Sequence, residues 1–158
     1  MKKSDFIANR LREIFLSGYW IANTNYKDQL ESINWEQAVH QVGDLNTIAA
    51  LTYHINYYLA GILTVFNGGL LEIKDQYSFD LPPIHSEADW NKLASELFDN
   101  ASVFAIAVEQ MAEEKFDEVF VNEKYGSYLR NLEAVIEHSY YHLGQVVLIK
   151  KLILAAGK

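Results

Sequence analysis

The sequence predicts an all-α fold, a four-helix bundle in which a long connection separates the second helix from the third. Three observations predict it. Long stretches repeat apolar residues at helical spacing. Helix breakers are few: only two prolines occur, adjacent in FDLPPIHSE, and proline does not lie in a helix interior. The stretch NGGLLEIKDQYSFDLPPIH, roughly 20 residues, is long for a link between antiparallel neighbours. It is expected to cross the length of the bundle and leave helices two and three parallel.

The elements follow in order. The first predicted helix runs from about Ser4 to Ile33, with a kink or break at Ser17-Gly18. The second starts near Asp44, a good N-cap, and ends before Gly68-Gly69. Its apolar stripe is Leu51, Ile55, Tyr58, Ile62 and Val65. The third opens with Ser86-Glu87-Ala88-Asp89, a capping-box pattern, and keeps Leu93, Leu97, Ala101, Phe104, Val108 and Met111 at helical spacing. A shorter link, AEEKFDEVFVNEKYG, leads to the fourth helix, from about Ser127 to Ala155. Lys150 and Lys151 lie near its end, where the helix dipole favours cations. Trp20, Trp35 and Trp90 are expected to anchor helix ends or interfaces.

Size and composition narrow the class. A chain of 158 residues is long enough for its own core, so residues 1–158 are expected to form one domain. Half the residues are hydrophobic, which excludes a disordered chain. The net charge of −8 argues against nucleic acid and anionic membrane as partners, because phosphate binding needs clustered Lys and Arg. There is no cysteine, which excludes disulfides, thiolate metal ligands and a cysteine nucleophile. The cytoplasm fits that composition. The start, MKKSDFIANRLREIF, lacks a long apolar run, so no signal peptide is expected. From Leu45 to Leu71 there is no Asp, Glu, Lys or Arg, and the length would allow a membrane span. Asn46, Thr47, Thr52, His54 and Asn56 spread over its faces, and a buried bundle helix explains the stretch better.

Histidines carry the chemistry. In IEHSYYHLGQVVLIKKL, His138 and His142 are four residues apart. Against the stripe Val135, Leu143, Val146, Ile149 and Ile153, His142 falls near the middle and His138 near one side. On the second helix His54 lies at the stripe's margin, beside Leu51 and Tyr58. Three imidazoles thus lean inward from two helices. An i, i+4 pair can share a cation, and a third histidine would complete a three-ligand site with an open position, the arrangement of catalytic zinc. The plainer reading is three separately hydrogen-bonded core histidines. His40 and His85 fall in connections and are expected to be solvated. Gln145, three residues after His142, is either a hydrogen-bond partner of a ligand or a partly exposed polar residue. Tyr53, Tyr57, Tyr58, Tyr140 and Tyr141 flank the histidines and read first as packing, with Tyr58 a candidate to touch the site.

The segments DLNTIAALTYHINYY and IEHSYYHLGQ, in this order and on these helices, resemble the DinB-like superfamily of bacterial metal-binding four-helix bundles. The resemblance extends across nearly the whole chain, including the loop ending in LPPIH. It implies a crossover bundle, a homodimer, and a divalent metal ion on His54, His138 and His142. Zinc or nickel come first among the ions, although three imidazoles also suit copper or iron. The better-understood relatives are thiol-dependent transferases and isomerases, in which a low-molecular-weight thiol cosubstrate supplies the sulfur. The chain departs from some members, which carry a carboxylate soon after the helix-two histidine; here Tyr57 and Tyr58 follow. No general base is evident and the sequence assigns no catalytic residue. Three readings stay open: a metal-dependent enzyme of thiol-transferase type, or hydrolase-like, acting on a small electrophile; a non-catalytic metal-binding or stress-related interaction module; and a purely structural helical dimer without metal.

Overall fold

The computed structural model describes residues 2–157. Among them six α-helices occur and no strand: α1 (Lys3–Arg12), α2 (Tyr26–Glu31), α3 (Trp35–Val39), α4 (Ile48–Phe66), α5 (Glu87–Glu109) and α6 (Tyr128–Ala156). Short 3-10 turns at Asp75–Tyr77, Glu113–Asp117 and Glu123–Tyr125 punctuate the connections. The all-helical class expected from the sequence therefore holds.

The N-terminal third differs from the single long helix expected over Ser4–Ile33. α1 passes into a π-helical turn, Glu13–Ser17, closed by Gly18 N–H donating to the Glu13 carbonyl at 3.0 Å. A Cβ on Gly18 would strike Glu13, so this wide turn needs glycine. The chain does not resume as a helix until Asn25. Asn25 caps α2 by accepting from Asp28 N–H, and Asn34 caps α3 in a reciprocal box with Gln37. Each asparagine satisfies orphan N–H groups of a new helix, which favours two short helices over one long one. Trp20, expected as an anchor, is 88% exposed and anchors nothing, whereas Trp90 is buried with its indole N–H on the Ile33 carbonyl.

α4 begins three residues later than expected. Thr47, not Asp44, is the N-cap, its hydroxyl accepting from Ala50 N–H. Ser86 and Ser127 cap α5 and α6 as their sequences foretell. α4 stops at Phe66, and Gly68 adopts φ +84°, a conformation glycine takes without strain. α4 is the one helix among the described residues long and apolar enough to cross a membrane, yet half of its apolar window is buried inside the protein.

The packing is set by a few long-range pairs. Asn56 of α4 accepts from the Asn100 amide of α5 at 2.8 Å, and Phe66 stacks near Phe104 at 5.1 Å. The C-terminal ends of α4 and α5 and the start of α6 line one cavity, through Asn67, Gln110 and Tyr128. At that same end Glu113 accepts from the backbone N–H groups of Lys3 and Ser4, capping α1 with a carboxylate. α2 docks on α6, where buried Tyr26 donates to the Ser139 carbonyl. Lys150 reaches Gln29 rather than its own helix end. Buried apolar residues of all six helices join one core, with Leu51, Ile55, Leu97, Phe104, Leu143 and Val146 at its centre. Removing each from water contributes about 1.5–3 kcal/mol.

Candidate metal centre

α4 and α6 bring the three inward imidazoles together. His54 lies in the second turn of α4, between buried Leu51 and Ile55, while His138 and His142 lie one turn apart on α6. His138 Nε2 is 3.2 Å from His54 Nε2 and 2.9 Å from His142 Nε2. The ligand atoms of all three lie within 4.8 Å of one another. Zinc–nitrogen bonds of about 2.0–2.1 Å place neighbouring nitrogens of a tetrahedron about 3.3 Å apart. Small ring rotations suffice to bring these three onto one ion.

The opposite ring nitrogens are held too. His54 Nδ1 lies 3.3 Å from the Ser78 carbonyl, and His142 Nδ1 lies 2.6 Å from Gln145 Oε1. A carbonyl oxygen only accepts, so each Nδ1 carries the proton and each Nε2 presents a lone pair. His138 Nε2 can give one proton to one of these neighbours. Neutral imidazoles therefore leave lone pairs facing each other at the centre of the cluster. A cation there turns that repulsion into ligation, and the carbonyl and amide contacts orient the rings for it.

Electrostatics favour the neutral rings that a metal requires. Burial, then the neighbouring His142 and His138, lowers the His54 pKa to about 4. Burial first and His142 second lower that of His138. Burial also lowers His142, against the opposing hydrogen bond from Gln145. His54 is 6% exposed and His142 7%, while His138 sits half-buried at the open edge.

The surroundings divide the tyrosines. Tyr58 meets His54 and His138 edge-on, with ring centroids 5.1 and 5.5 Å away, and its hydroxyl donates to Asp75 Oδ1 at 2.9 Å. Tyr141 meets His142 at 4.9 Å. Tyr57 bonds the backbone of Lys74, and Tyr53 and Tyr140 pack against the core. His40 and His85 are exposed and take no part.

Three site residues were invisible in the sequence. Asp75, Ser78 and Phe79 come from the long connection, with Phe79 stacked on His54 at 4.1 Å. No periodic pattern marks them. The only cue is a carboxylate and a serine beside an aromatic residue in a connection too long for a simple link. A cavity of about 300 Å³ reaches Gln145, between Leu45, Leu51 and Leu148. Another of about 630 Å³ lies at the far end of α4, around Phe66, Met111 and Tyr128. No family model matches this chain, and neither a curated protein nor a solved structure matches it.

Proposed function

We propose that this chain is a DinB-like crossover four-helix bundle that binds one divalent metal ion, zinc or nickel, through His54, His138 and His142. One observation carries the metal reading: three Nε2 atoms converge, and two of the rings have their Nδ1–H groups committed to oxygen acceptors on the far side. The crossover topology is supported by the meeting of the α4 and α5 C-terminal ends beside the start of α6.

We propose further that the centre serves an enzyme of thiol-transferase type, or a hydrolase-like one, acting on a small electrophile. Three neutral ligands leave a divalent ion its full charge, which lowers the pKa of a bound water or of a thiol cosubstrate. The chain's own residues supply the rest. Ser78 and Gln145 fix the ring orientations, Phe79 covers the His54 face, and the half-buried His138 edge is where a small molecule can approach. A cytoplasmic homodimer is the proposed setting. The test is turnover of electrophiles with several low-molecular-weight thiols by the metal-loaded protein. Thiol-dependent consumption, lost in His138→Ala/His142→Ala, is the expected result.

A second reading, a non-catalytic metal-binding module, is favoured by one feature: the stacked Phe79 and the deep burial of His54 and His142. It expects stability that depends on metal and no turnover. Equal melting temperatures with and without metal would argue against it.

A further inference from the structure

The connection leaving α4 turns back and is fastened to the helix it has just left. Positions 54, 57, 58 and 61 share one face of α4 at helical spacing, and each holds part of the segment from Ile73 to Phe79. Gly61 lies under the Ile73 side chain, where a Cβ would collide. The Tyr57 hydroxyl accepts from Lys74 N–H at 2.9 Å and lies 3.1 Å from the Lys74 carbonyl. Tyr58 donates to Asp75 Oδ1 at 2.9 Å. His54 Nδ1 donates to the Ser78 carbonyl at 3.3 Å.

Inside the segment, Asp75 and Ser78 move as one piece. The Ser78 backbone N–H and hydroxyl both donate to the Asp75 carbonyl, at 3.0 and 2.8 Å. Ser78 is 3% exposed, so its carbonyl faces His54 without competition from bulk water. Where Tyr58 places Asp75, the turn places the Ser78 carbonyl, and the carbonyl selects the His54 tautomer. We propose that Tyr58 and Asp75 are positioning residues of the metal centre: they pin the Ile73–Phe79 segment so that the Ser78 carbonyl holds His54 with Nε2 turned toward His138 and His142.

This inference rests on reading the three histidines as metal ligands. A merely structural role for the pair is the competing account, since an ordinary hydrogen bond contributes about 1 kcal/mol to stability. The two differ in what they move. Tyr58→Phe removes one hydroxyl and keeps the ring that packs on His54 and His138. Asp75→Ala removes the acceptor, and Asp75→Asn retains one.

The experiment titrates cobalt(II) into the full chain, reading its d–d absorption and competing with a chelator. It also records the nitrogen shifts of His54 in the metal-free protein. Tyr58→Phe and Asp75→Ala are expected to bind cobalt about 10–100-fold more weakly, with an altered d–d spectrum. His54 should lose its clean Nδ1–H signature in both, and Asp75→Asn should stay close to the unmodified protein. Metal-free Tyr58→Phe should melt close to the unmodified protein. Unchanged affinity, spectrum and tautomer in Tyr58→Phe and Asp75→Ala, while the unmodified chain binds cobalt, would overturn the inference and leave the metal site standing. A weakening matched by an equal loss of metal-free stability would overturn it in favour of the structural role. A chain that takes up no cobalt would overturn both.

Discussion

His54 carries the largest consequence for pH. Its pKa in the fold is about 4, lowered first by burial and then by His142 and His138, against about 6.5 in an unfolded chain. Between those values the unfolded chain binds a proton that the folded chain does not. Stability of the metal-free protein is therefore unaffected by this group above about pH 6.5, and falls as the pH drops toward 4, by about 3 kcal/mol in all. Urea unfolding at pH 7 and pH 4.5 should show the loss, and His54→Gln should reduce it. At His142 the decisive neighbour is Gln145, whose Oε1 accepts from Nδ1 at 2.6 Å. Gln145→Leu should weaken zinc binding about 10–100-fold while leaving all three ligands in place. Competition with a chromophoric chelator measures it, and unchanged affinity would count against the orienting role.

Among the elements, caps and close approaches decide what can change. Thr47 and Ser127 each satisfy an N–H at the start of a helix that carries a ligand. Replacing either with alanine should cost about 1 kcal/mol, read from the urea midpoint. Gly61→Ala reverses the usual expectation. Alanine favours a helix interior by up to about 1 kcal/mol, but here its Cβ meets the Ile73 side chain. The segment should be displaced, and limited proteolysis between Leu70 and Gln76 should quicken. What the sequence displays follows the same division. The Gly68 stop, the Ser86 and Ser127 caps and the convergence of His54, His138 and His142 were legible because local rules and helical period dictate them. The break after Gly18 was only half legible, since Asn25 and Asn34 are unambiguous caps only once the apolar period is seen to stop there. The Tyr58–Asp75 and His54–Ser78 contacts were not legible at all. They join residues 17 and 24 apart through a connection without period, so tertiary geometry alone sets them.

At the scale of the molecule, a chain of net charge −8 encloses one apolar core and gathers its inward histidines at one place in it. α6 presents Tyr141, Leu148 and Leu152 to solvent, and its mid-helix Gly144 has open space where a Cβ would be. The proposed homodimer should sediment at twice the 18.1 kDa chain mass, and Leu148→Glu should shift it toward the single chain if this face is used. Metal should raise the melting temperature in proportion to the logarithm of its free concentration above the Kd. The measurement that bears most directly on the central claim is elemental analysis of the untagged protein beside His138→Ala/His142→Ala. About one zinc or nickel per chain, absent from the variant, is the result expected of three ligands converging on one ion. No metal in the unmodified protein, and none taken up from added zinc or nickel, would contradict it and leave three core histidines bonded to one another.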